Sequence, residues 1–226
     1  MKTCVSNLLD KVIEEAVENA EQYILNTRYA TFAYGERQMN SILAPAFHNN
    51  VDAMILEYPS TRRIGSRNHT ARADYFCLCN KGKENKYRMF VELKSSWQTL
   101  PIPKDRFNES NIKLYKTACR QIRGLENEFK GSNKKFYEGT PIIRVNLMTL
   151  ALYTSEKKKF SFDSDYIEHM IQNASEQFCF KKDMYPNHIA VWKLDDKITI
   201  ENEWENDTRK LRGIMFICHV MEEYPM

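Results

Sequence analysis

The chain has 226 residues, 42% hydrophobic and 28% charged, with a net charge of +3, which suits one domain with a sizeable buried core. So small a charge excludes a bulk polycation, and any surface for nucleic acid has to come from local clusters of Lys and Arg. No run approaches the ~18 apolar residues of a membrane-spanning helix. Asp10, Lys11, Glu14 and Glu15 interrupt the stretch where a signal peptide has its apolar core, so the cytoplasm is the expected compartment and no membrane partner is expected.

In chain order, residues 6–26 read as a helix with Leu9, Val12, Ile13, Ala16, Ala20, Tyr23 and Ile24 on one apolar stripe. A second helix is expected from about Gly35 to Phe47, with Ile42, Leu43 and Phe47 inward and Pro45 bending or shortening its last turn. VDAMILEY (51–58) and ADYFCLC (73–79) read as strands joined by a polar, basic connection. The NKGKEN turn leads to a third strand at 87–94, so that 73–94 forms a hairpin. A helix is expected over 108–129, capped by Asn108 or Ser110, with Ile112, Tyr115, Cys119, Ile122, Leu125 and Phe129 buried. TPIIRVNLMTLALYT (140–154) reads as a long, deeply buried strand, 163–178 as a helix, and 188–194 and 213–220 as strands. The fold class is therefore α/β, one domain over 1–226 with a mixed central sheet flanked by helices.

The six cysteines, at 4, 77, 79, 119, 179 and 218, form no CxxC pair and suit buried thiols in a reducing compartment. Cys77 and Cys79 share a strand face, but no second Cys or His pair stands at ligand spacing.

YRMFVELKSSW (87–97) places two charges inside an apolar strand. Glu-x-Lys occurs four times in the chain, and only Glu92/Lys94 lies in apolar surroundings. Period two puts Phe90, Glu92 and Lys94 on one face. Burying either charge alone costs several kcal/mol, so a partner or an ion is expected. Asp74, in the preceding strand, is placed by hairpin geometry beside Glu92 or Lys94. Two neighbouring carboxylates repel unless a cation lies between them, and a hard divalent ion suits oxygen ligands.

These residues resemble the PD-(D/E)xK nuclease superfamily, with its restriction-endonuclease-like αβββαβ core. The matching positions are Glu36 in YGERQMNSILAPAF, Asp74 in RADYF, and Glu92 and Lys94 in VELKSS; Ala73 stands where the motif has proline. The resemblance covers about 35–153, leaving an N-terminal helix and a C-terminal αββ extension. It implies a Mg²⁺- or Mn²⁺-dependent nuclease acting on nucleic acid, DNA first. Asp74, Glu92 and the Leu93 carbonyl would hold the metal, Glu36 would complete its shell, and Lys94 would serve the attacking water. Many such proteins cut as dimers, so a homodimer is among the assemblies implied. For Glu36, a favourable place at a helix N-terminus is the other reading.

Around this core, Lys113, Lys116, Arg120 and Arg123 follow 3-4-3 spacing on the helix at 108–129, either as a phosphate-binding face or as ordinary solvation. Gln121 stands where many relatives carry a supporting glutamine. Arg62, Arg63, Arg67, His69 and Arg72 lead directly into Asp74 and suit phosphate contacts. Trp97 suits either base stacking or anchoring of the strand end. Two readings from other classes remain: a non-cleaving nucleic-acid-binding module on the same fold, and a protein-interaction module in which Asp74 and Lys94 form a structural ion pair.

Overall fold

The computed structural model describes residues 2–64, 67–80, 86–126, 139–155, 160–179, 184–195, 198, 200–204 and 207–223, the side chains of 2–3, 62–64, 68, 126, 201–204, 207 and 223 excepted. Among the described residues, four helices, α1 (Lys2–Thr27), α2 (Glu36–Asn50), α3 (Glu109–Arg123) and α4 (Ser164–Gln177), accompany eight strands. The strands are β1 (Ala53–Ile64), β2 (Arg67–Cys79), β3 (Tyr87–Leu100), β4 (Leu125–Glu126), β5 (Ile142–Ser155), β6 (His188–Lys193), β7 (Glu201–Trp204) and β8 (Asp207–Glu223). They form one mixed sheet in the order β4-β1-β2-β3-β5-β8-β6, with β7 paired to β8. Among the described residues, β3 and β5 run parallel and the other pairs are antiparallel.

Strand alternation divides the core between two faces. Tyr75, Cys77, Met89, Val91, Leu93, Val145 and Leu147 pack with the apolar stripes of α1 and α2. Met148, Leu150, Leu152, Met215 and Ile217 pack on the opposite face with Tyr115 and Cys119 of α3 and Met170 and Ala174 of α4. A smaller cluster joins Phe76 and Phe90 to Ile122 and Leu125. The result is a sheet covered by helices on both faces, an arrangement that leaves β5 buried along almost its whole length.

Several expectations change in detail. Pro45 lies inside α2, and the helix runs on to Asn50 with Ala46 and Phe47 fully buried. The burial of that last turn and the Asn50 side chain, which donates to Glu15 Oε2 (2.7 Å) and to Ala46 O (2.8 Å), hold the helix past the proline. Tyr23 of the α1 stripe is exposed. α3 stops at Arg123, since Gly124 caps it and Leu125 enters β4 opposite Arg62. Asn108 is its N-cap by position without a side-chain cap bond; its N–H donates to Gln98 Oε1 at 3.1 Å. Phe129 lies outside the described residues. The C-terminal region contributes β6, β7 and β8, one strand more than expected.

The largest change concerns residues 59–72. Residues 59–64 and 67–72 are strand: β1 and β2 continue their antiparallel register from Ala53↔Leu78 to Ile64↔Arg67, far beyond the end of the β2–β3 ladder. Thr61, Ile64 and Thr70 are β-formers in this otherwise polar stretch. No helix is long and apolar enough to cross a membrane, among the described residues.

Candidate active site

The β2–β3 ladder ends at Tyr75↔Val91. Beyond it β2 stays with β1, while β3 stays with β5 through Leu100↔Thr154. The sheet therefore parts between Asp74 and Glu92, the pair that would come next. On its other side Asp74 faces Glu57, where the β1–β2 register steps from Leu56↔Tyr75 to Tyr58↔Ala73, and Glu57 takes a positive φ of 51°. Asp74 thus has no Cα partner in either ladder, and Glu57 across from it holds a left-handed backbone that is strained for a non-glycine residue.

The residues predicted from the sequence converge at this parting. Leu93 N–H donates to Asp74 Oδ2 at 2.6 Å, so the carboxylate succeeds the lost ladder as an acceptor. Lys94 Nζ donates to the Leu93 carbonyl at 2.7 Å and lies 3.2 Å from Glu92 Oε1 and 3.6 Å from Glu36 Oε1. Glu92 is buried, Lys94 nearly so at 14% side-chain exposure, and Glu36, the first residue of α2, is 42% exposed. The site thus grades from a buried carboxylate to one that meets solvent.

The electrostatics follow from this packing. Burial raises the Asp74 carboxyl to a pKa of about 6; the Leu93 N–H works against that rise and the Glu92 charge adds to it. Burial disfavours the Lys94 ammonium, yet Glu92, Glu36 and Asp74 together outweigh it and hold the amine above its ordinary value. Lys94 is a charged donor here.

Among the described residues, no three His, Cys, Asp or Glu side chains converge on one point as they would around an ion. Glu36, Asp74 and Glu92 instead surround an ammonium. With the Leu93 carbonyl they are oxygen donors, the type that a hard ion such as Mg²⁺ or Mn²⁺ takes. Cys77 and Cys79 are buried on the α1/α2 face and do not join it; burial raises both thiols, Cys79 to about 12.

The basic residues singled out from the sequence lie on the β1–β2 ribbon and on α3. Arg67 and Arg72 are exposed on β2, with Arg72 3.8 Å from Glu57, and His69 is exposed between them. Arg62 and Arg63 stand opposite His69 and Asn68, and their side chains lie outside the described residues. On α3, Lys113 pairs with Glu109 at 3.4 Å, Arg120 is exposed, and Lys116, Gln121 and Arg123 are half-buried. Trp97 meets Arg209, whose guanidinium carbon lies 5.1 Å from the ring centre.

Sequence reasoning missed two polar groups on the same sheet face. Asn146 is the β5 partner of Glu92 and is fully buried; its amide donates to Cys119 Sγ at 3.2 Å, and its Oδ1 accepts no hydrogen bond. Arg144, the partner of Phe90, donates to Leu125 O at 2.8 Å. Their signal was present: an Arg and an Asn two apart in an otherwise apolar 140–154 run, the same anomaly that marks Glu92 and Lys94. A buried network also fixes the far end of β3. Asn111 donates to Trp97 O (2.9 Å) and Gln98 Oε1 (3.2 Å) and accepts from Ser96 Oγ (2.7 Å).

Comparison of the chain with family models, with curated proteins and with solved structures finds no match.

Proposed function

We propose that the protein is a Mg²⁺-dependent nuclease that hydrolyses phosphodiester bonds of nucleic acid, DNA being the first substrate to test. The observation that carries the reading is the convergence of Asp74, Glu92, the Leu93 carbonyl and the Lys94 ammonium where β2 and β3 part. The order α2-β1-β2-β3-α3-β5, with β3 and β5 parallel, supports a restriction-endonuclease-like core.

A bound Mg²⁺ supplies a nucleophilic water at neutral pH and neutralises charge on the phosphate. Asp74, Glu92 and the Leu93 carbonyl are the residues that would hold it. Asp74 also keeps Leu93 in place through its N–H, so the carbonyl and the carboxylate are set by one residue. Lys94 stays protonated and offers a mobile cation that orients water or meets the developing charge on phosphate. Glu36, half in solvent, steadies that ammonium from the open side. The exposed Arg67 and Arg72 stand on β2, the strand that also carries Asp74, where a polyanion could be aligned toward the site.

The test is cleavage of plasmid DNA, single-stranded DNA and RNA with Mg²⁺ or Mn²⁺ by the wild type and by Lys94→Ala and Asp74→Asn, each checked for folding by circular dichroism. Metal-dependent cleavage lost in both folded variants supports the reading. Salt-sensitive binding of nucleic acid without cleavage would assign a non-cleaving binding module instead.

A further inference from the structure

The Lys94 ammonium already lies where a cation would be held. It donates to the Leu93 carbonyl at 2.7 Å and lies 3.2 Å from Glu92 Oε1, two of the oxygens assigned to the metal, while its third neighbour is Glu36 at 3.6 Å. A Mg²⁺ or Mn²⁺ ion on the same two oxygens needs distances of ~2.1 Å. That would set a divalent ion and an ammonium within about 4 Å of each other beside the buried Glu92, where like charges repel. Both cations cannot keep these contacts.

Resting on the metal-dependent reading above, we propose that Lys94 is an internal placeholder for the divalent ion. The ion enters by displacing the ammonium from Leu93 O and Glu92, and Glu36 receives it on the solvent side.

Geometry sets the direction of this movement. Glu92 is 6% exposed at its side chain and Glu36 is 42% exposed, so the carboxylate farther from the buried pair is the one nearer to water. A lysine has the flexible stem that such a change of partner requires. The exchange also explains how buried Glu92 is kept neutralised without an ion, since an unpaired buried carboxylate is costly. Glu36 then acts as a positioning residue for Lys94, and its assignment as a metal ligand is unnecessary. An anionic phosphate arriving at the open side would attract the same ammonium, so substrate and metal would each favour binding of the other. Free divalent ion alone would load the site weakly.

The experiment is a calorimetric Mn²⁺ titration of the wild type, Lys94→Met and Lys94→Ala, with a thermal melt of each. Loss of one charge-assisted hydrogen bond as competitor predicts that both variants bind Mn²⁺ ~10- to 100-fold more tightly than the wild type. A second measurement uses the wild type only: amine labelling of Lys94, read by peptide mass spectrometry, rises several-fold when Mn²⁺ saturates the protein. Equal or weaker Mn²⁺ binding in folded variants overturns the placeholder, as does unchanged labelling at saturation, and either leaves the metal site standing. If none of the three proteins binds Mn²⁺ and labelling does not respond, the metal-dependent reading fails and this inference fails with it.

Discussion

Asp74 accepts the Leu93 N–H at 2.6 Å where the β2–β3 ladder has already ended. One hydrogen bond therefore ties the two strands that diverge around the candidate site. The same carboxyl is pushed up to about 6 by burial and by Glu92. Structural need and electrostatic strain meet on one side chain, and they separate under substitution.

Asp74→Asn keeps an acceptor for Leu93 and removes the charge. Because the folded-state pKa lies above the ordinary carboxyl value, the folded protein binds the extra proton between about pH 4 and 6, and stability falls as pH rises through that window. Two pH units correspond to ~3 kcal/mol at most; water reaches part of Asp74, so a cost of about 1–2 kcal/mol is expected. In EDTA at pH 8, Asp74→Asn should melt above the wild type and lose the decline between pH 4 and 6. Asp74→Ala should melt below Asp74→Asn, since the Leu93 N–H loses its acceptor. Lower stability of Asp74→Asn at pH 8 would mean that the carboxylate is structural, as in the ion-pair reading.

Asn111 decides a second outcome. It is 1% exposed and bonds Trp97 O, Gln98 Oε1 and Ser96 Oγ, joining the start of α3 to the end of β3. Asn111→Leu removes three bonds and leaves Gln98, fully buried, with one fewer donor. A loss of about 2–4 kcal/mol in urea unfolding is expected. Gln98→Ala and the double variant should be non-additive, because both substitutions break the same contact. Additive losses would show that the two side chains act separately.

How much of this was legible beforehand depended on which physical signal each part carried. The apolar run at 87–93, buried on both faces, placed β3, and the charges at Glu92 and Lys94 marked the site, because apolar surroundings make such residues conspicuous. Asp74 was legible for the same reason. The ribbon at 59–72 was not, since its side chains are polar and its strand pairing comes from register continued out of the core rather than from an apolar pattern. The end of α3 at Arg123 was hidden because the apolar 3-and-4 spacing runs on through Leu125, which is buried by β4 rather than by the helix. Glu36 was placed at the right helix end, but its partner, the Lys94 ammonium, depends on how α2 meets the parted sheet.

Gly213 tests the outer part of the sheet. Its φ is 153°, it lies next to the β5–β8 register shift at Leu152/Tyr153, and a Cβ there would meet Trp192 O at 2.0 Å. The contact is with backbone, so no rotamer relieves it. Gly213→Ala should destabilise the fold by several kcal/mol through strain and loss of the β6–β8 pairing. A variant with wild-type melting would refute that close approach.

The β1–β2 ribbon carries the last prediction. Arg67 and Arg72 are exposed on it, and the Arg72–Glu57 pair, 3.8 Å apart with side chains 67% and 59% exposed, contributes little to stability. Removing both arginines should leave the melting temperature unchanged. If nucleic acid lies along the ribbon toward Asp74, the double alanine variant should bind it more weakly. Its plot of log affinity against log salt should flatten by about 0.9 per lost phosphate contact on duplex DNA. Lys113→Ala with Arg120→Ala gives the comparison on α3, where Lys113 is already engaged by Glu109 at 3.4 Å. A larger change in slope from the ribbon pair would place the backbone path across the parted strands. A larger change from the α3 pair would move it to the helix and leave the ribbon arginines as solvation.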